Sequence, residues 1–150
     1  MGLDMYLVAE IFLSEYNETE QAFSEILKEN AIYGLGRFTP SIIKFDVGYW
    51  RKANSIHKWF VDNVQEGKDD CQKYYVKPEQ LKTLKDICQK VLGDADLAPE
   101  LLPSSSGFFF GATTYDSRYI DSLYQTIEII DRIVSNPFHE KWAITYQSSW

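Results

Sequence analysis

The sequence predicts an α+β domain with roughly four strands in a mostly antiparallel sheet and about four helices packed mainly on one side. Segments of strand and helix period are mixed without the regular βαβ alternation of a parallel sheet, and no internal repeat divides the chain. The 150 residues suit a single domain, 1–150, able to bury roughly two thirds of its unfolded surface.

The elements follow in order. "MYLVAEIFL", Met5 to Leu13, is apolar and bounded by polar residues, as expected of a first strand buried on at least one face. In "ETEQAFSEILKENA", Ala22, Phe23, Ile26 and Leu27 recur at helical spacing behind early acids, which predicts a short helix begun near Asn17 or Thr19. "IYGLGRFTPS" is turn-rich, and "IIKFDVGYW" reads as a second strand. From Tyr49 to Gln65, Ala53, Ile56, Phe60, Val61 and Val64 fall on one side of a helix that Gly67 can close.

"QEGKDDCQKYY" is a charged loop. Pro78 then stands where a helix tolerates it, and Leu81, Leu84, Ile87, Cys88 and Val91 form a core stripe ending at Gly93. "GDADLAPELLPSSSG" is the longest break, with too little chain beyond it for a second domain. "FFFGATT" predicts a short strand. A helix follows, lined by Ile120, Leu123, Ile127, Ile130 and Val134 and stopped at Asn136-Pro137. "KWAITYQSSW" alternates Trp142, Ile144 and Tyr146 against Ala143, Thr145 and Gln147, the period of a final strand.

Charge narrows the partners. With 15 basic and 22 acidic residues the net charge is −7, so the molecule as a whole does not suit duplex or single-stranded nucleic acid, whose binding rests on phosphate neutralisation by clustered Lys and Arg. A local basic stripe could still hold a small anion. Cys71 and Cys88 lack CxxC spacing and a matching His pair, which points to a reduced cytosolic chain without a zinc site. The start lacks a basic n-region and carries Asp4 and Glu10 in its apolar run, so neither a signal peptide nor a membrane span is expected. Tyr6 at the sixth position disfavours myristoylation.

The densest functional signal is "GYWRKANSIHKWF", Gly48 to Phe60. At helical spacing Trp50, Asn54, His57 and Val61 form one ridge, Arg51 and Lys58 the adjacent exposed side, and Lys52 and Trp59 the opposite flank. An indole, an amide, an imidazole and nearby cations would suit a ligand with a ring and an anionic part. The same residues also suit plain packing and a solvated face. A second candidate is "LLPSSSGFFFGATTYD", where Ser105 and Ser106 could offer donors to an anion, although Ser-rich turns are also common connectors.

Catalytic parts are few. "GLGRF" breaks the dinucleotide fingerprint at Thr39, and no P-loop, GxSxG or HExxH motif is present. Only His57 and His139 are available as imidazoles. Asp69, Asp70 and Cys71 stand together, but adjacent acids usually face water, and no cofactor is expected. Asp4 needs a partner if its strand is buried, with Arg51 or His57 as candidates, unless it sits at the exposed strand start.

"MGLDMYL", "YWRKANSIHKWFVDNVQ", "DDCQKYYV" and "LLPSSSGFFFG" followed by "YD" resemble, over nearly the whole chain, a family of short proteins encoded in tailed-phage and prophage genomes. The resemblance brings no activity with it and implies a place in the host-cell cytoplasm. Three expectations follow. The first is a non-enzymatic phage or prophage accessory protein that binds a small anionic, ring-containing ligand, such as a nucleotide-type defence signal. In it Trp50 or Trp59 stacks, Arg51 and Lys52 or Lys58 meet phosphate, and Asn54 and His57 read polar edges. The second is an acidic inhibitor that binds a host protein. The third is a small enzyme with His57 as general base and Asp4 orienting it. A homo-oligomer would be compatible with each.

Overall fold

The computed structural model describes residues 2–14, 16–29, 38–107, 109–137 and 139–150. Strand β1 (Asp4–Phe12) leads to helix α1 (Glu18–Glu29), strand β2 (Ile42–Arg51), helix α2 (Asn54–Asn63) and the two-residue strand β3 (Tyr74–Tyr75). Helix α3 (Pro78–Gly93), a 3-10 turn at Ala95–Leu97, the short α4 (Ala98–Leu101) and the long α5 (Ser117–Val134) follow. A second 3-10 turn at His139–Lys141 precedes the last strand, β4 (Ala143–Ser149). The four strands form one sheet in the order β2-β1-β4-β3, every neighbouring pair antiparallel. The α+β reading is therefore the architecture observed.

Strand alternation sets the layers. Met5, Leu7 and Ala9 of β1, with Trp50 of β2 and Ile144 and Tyr146 of β4, are buried in one core with Ile56, Phe60, Leu84, Leu123 and Ile130 from the helices. Trp50 is buried completely, and its indole N–H donates to the Thr126 hydroxyl of α5 at 2.9 Å. Gly48 lets α5 approach the sheet, because a Cβ there would stand 2.7 Å from Ile129 Cγ2. The neighbouring Val47 is the extra residue of a bulge, since Leu7 pairs with Gly48 while Val8 pairs with Asp46.

On the other face of the sheet Glu10 is only 4% exposed, held by Lys73 at 2.7 Å and Lys44 at 3.2 Å. The Lys73 hydrogen bond holds its carboxyl below the usual carboxylate value despite the burial.

Several local expectations change. The helix expected from Tyr49 begins at Asn54, because Tyr49, Trp50 and Arg51 pair with Tyr6, Met5 and Asp4 as the last rungs of β2. Aromatic residues on a pleated edge thus prevail over helical spacing. "FFFGATT" is not a strand among its described residues: Phe110 closes a turn on the Gly107 carbonyl at 3.2 Å, and Gly111 takes a φ of +92°. The expected charged loop contains β3, and the serine-proline break contains α4. The stripe Phe23, Ile26 and Leu27 of α1 is exposed rather than part of the core, and Ser24 is the buried residue of that helix. Residues 32–37 of the predicted turn segment lie outside the described residues.

Candidate functional site

Two helix starts meet where β2 ends. Lys52 adopts a φ of +57°, its N–H donates to the Leu3 carbonyl at 2.8 Å, and the chain turns into α2 at Asn54. A side chain in the left-handed region costs about 1–2 kcal/mol, so the turn is held by its surroundings. Gly111 supplies one of them: a Cβ on it would stand 3.2 Å from Lys52 Cβ.

Asn54 laces the facing loop to α2. Its Nδ2 donates to the carbonyls of Phe110 at 3.2 Å and Ala112 at 2.8 Å, and its Oδ1 accepts from the Ser105 N–H at 3.2 Å. The amide is 4% exposed and fully used, so it positions the loop.

Between these elements lies a cleft of about 200 Å³. Arg51, Lys52, Ala53, Asn54 and Ser55 line it from the β2–α2 junction. Gly111, Ala112, Thr114, Asp116, Arg118, Tyr119 and Ser122 line it from the loop and the start of α5. The two helix starts differ in how they are capped. Asp116 Oδ1 caps α5, accepting from the N–H groups of Arg118 at 3.0 Å and Tyr119 at 3.3 Å, while Oδ2 accepts from the Thr114 hydroxyl at 3.0 Å. That hydroxyl, with the two amides, lowers the Asp116 pKa.

At α2 the capping residue is Ala53, which has no side-chain acceptor to offer the first amides. Ser55 in that first turn is 2% exposed, forms part of the cleft wall, and its hydroxyl makes no hydrogen bond among the described residues. None of the ion pairs among the described residues uses Arg51, Lys52 or Arg118. Cations outside those ion pairs, a helix start without a side-chain cap and the Ser55 hydroxyl on one concave surface make a receptor for negative charge.

The residues singled out from sequence divide accordingly. Arg51, Lys52 and Asn54 come together at the cleft. Trp50 lies in the core with no exposed surface, and Trp59 is 6% exposed and packed edge-on to Phe60, so neither indole offers a face for stacking. Lys58 lies outside the cleft lining, paired with Asp62 at 2.7 Å. Ser105 contributes its backbone N–H to Asn54, Ser106 is exposed, and neither lines the cleft.

His57 is 1% exposed. Its Nδ1 lies 2.8 Å from the Tyr146 hydroxyl and its Nε2 3.0 Å from Asp69 Oδ2, while Asp69 Oδ1 accepts from the Trp150 indole at 3.0 Å. With a neutral ring, Tyr146 donates to Nδ1 and Nε2–H donates to Asp69. Tyr146 is fully buried, stacked on Phe60 with centroids 4.0 Å apart, and burial raises its pKa well above that of a free tyrosine. The chain Asp69–His57–Tyr146 thus ends inside the core. Asp4 does not orient His57: its Oδ1 accepts from the Tyr49 hydroxyl at 2.5 Å.

Sequence reading missed Ser55, Arg118, Asp69 and Tyr146 as partners of these residues. Only Asp116 had a local signal, an acid directly before a strong helix pattern. Among the described residues no group of three His, Cys, Asp or Glu could hold a metal ion, and no helix is long and apolar enough to cross a membrane. No protein-family model matches the chain, and neither do the curated proteins or the solved structures.

Proposed function

We propose that this chain is a non-enzymatic phage or prophage accessory protein of the host cytoplasm that binds a small anionic ligand in the cleft between the starts of α2 and α5. The observation that carries this reading is the convergence of Arg51, Lys52 and Arg118, none of them in an ion pair among the described residues, on a helix start without a side-chain cap, in a chain of net charge −7. Local positive potential in an acidic protein selects anions that are small enough to enter the cleft, while the rest of the surface repels polyanions. Neither tryptophan of the opening motif stacks on the ligand in this reading, because both are committed to packing.

Thermal unfolding in the presence of phosphate, sulfate and small carboxylates tests it. At a hundredfold excess over Kd a ligand stabilises by about 2.7 kcal/mol, which raises Tm by about 5–10 °C for a chain of this size. Arg51→Ala and Arg118→Ala, folded by circular dichroism, should lose most of that shift. An unchanged Tm with every anion would remove the reading.

A second reading, an acidic inhibitor of a host protein, draws on the exposed aromatic pair Tyr6 and Tyr49, with ring centroids 5.4 Å apart. Exposed aromatic clusters favour protein contacts. Salt-sensitive capture of one host protein, lost in a Tyr6→Ser/Tyr49→Ser variant, would support it; capture that survives the double substitution would not.

A further inference from the structure

We propose, building on the anion-binding reading, that the cleft is selective for the dianion of a small, ring-free phosphate monoester. Three features of the cleft select this class: its charge, its size and its wall chemistry.

Charge comes first. Among the described residues three cations, Arg51, Lys52 and Arg118, line the cleft with one carboxylate, Asp116, for a net of +2. Asp116 is engaged as the cap of α5 and by Thr114, with its pKa lowered, so it stays ionised and turned to its own donors. A phosphate monoester carries about −1.5 to −2 at neutral pH and matches that surplus. A phosphodiester carries one charge per phosphate and leaves a cation uncompensated.

Size excludes more. The volume of about 200 Å³ is below the roughly 300–1,000 Å³ of sites for drug-sized ligands. That leaves room for a phosphoryl group and a short polyol. A nucleoside would project out of it.

The wall agrees. Among the described residues its single aromatic is Tyr119, which is 7% exposed, donates its hydroxyl proton to the Leu102 carbonyl at 2.9 Å and carries Tyr115 edge-on at 4.9 Å. Among these described residues no ring face is free for a base. Ser55 and the start of α2, which lacks a side-chain cap, also line the cleft, and hydroxyls and helix-start amides are donors suited to phosphoryl oxygens.

The experiment is isothermal titration of the intact chain with glycerol phosphate, with dimethyl phosphate as a monoanionic diester, and with a cyclic nucleoside monophosphate, at pH 8 and again at pH 5. Glycerol phosphate should bind at least about tenfold more tightly than either diester at pH 8, the gain expected of one further charge-assisted hydrogen bond. It should weaken about tenfold at pH 5, where with a second pKa near 6 only about a tenth of it remains dianionic. Dimethyl phosphate, whose charge does not change, controls for pH effects on the protein. Arg118→Gln should erase the preference, and Ser55→Ala should weaken binding in a protein that still folds. Equal affinity for monoester and diester, or tighter binding of the cyclic nucleotide, would overturn the selectivity and leave anion binding standing. Absence of binding by all three would overturn both.

Discussion

Asp69 grips His57 through Oδ2, 3.0 Å from Nε2, and through its other oxygen takes the indole proton of Trp150, so one carboxylate ties α2 to the end of β4. The imidazole between Asp69 and Tyr146 is an internal brace: every polar atom of the ring is spent, and its far partner is buried.

His57→Ala should therefore destabilise the fold by about 2–4 kcal/mol, from lost packing and from the orphaned Tyr146 hydroxyl. Asp69→Asn, which keeps an acceptor, should cost about 1 kcal/mol. Urea unfolding measures both. A His57→Ala cost under about 1 kcal/mol would contradict a bracing role.

Trp50→Ala should cost about 3–5 kcal/mol, as large core truncations do, because the indole is fully buried and also leaves Thr126 without its donor. Chemical denaturation separates this from a ligand-facing residue, whose removal would change affinity at nearly constant stability.

Lys52→Gly should leave stability within about 1 kcal/mol of the parent, since relief of the left-handed conformation offsets the added freedom of glycine in the unfolded chain. Anion affinity should fall about tenfold or more with loss of the ammonium. Gly111→Ala tests the same junction from the other side: its φ of +92° and the 3.2 Å approach to Lys52 Cβ predict a loss of about 1–3 kcal/mol. An affinity that survives Lys52→Gly would place the ligand elsewhere.

Glu10 gives the fold a defined acid response. Its folded pKa is depressed below the free value of 4.5, chiefly by the Lys73 hydrogen bond, so its contribution is complete above that value and is lost as pH falls through the depressed one. Stability of the parent should drop with acid below about pH 4.5. Glu10→Gln should start lower and decline less over the same range. A parallel decline in parent and variant would show that other carboxylates carry the acid response.

Much of the fold was legible because its signals are local. Leu81, Leu84, Cys88 and Val91 mark the buried side of α3, Leu123 and Ile130 that of α5, and Ile144 and Tyr146 the inner face of β4, each at its own period. The stretch from Tyr49 to Arg51 misled, since its spacing suits a helix while pairing with β1 makes it strand. Arg51 and Asn54 of the candidate site could be picked out by type. Their roles could not, because burial of Trp50 and His57 and engagement of Asn54 depend on residues remote in the chain.

By itself the sequence determined an acidic single α+β domain, most of its elements, and a dense motif of polar, basic and aromatic groups. Only the tertiary structure decided which of those groups meet solvent and which meet each other. Arg51 at the end of β2 and Arg118 at the start of α5 share a cleft because β1 pairs with β2 and α5 packs on that sheet. Local periodicity reports which face of an element is apolar, whereas a site is formed by the separation and charge of side chains brought together from distant positions, quantities that exist only once the chain has closed on itself.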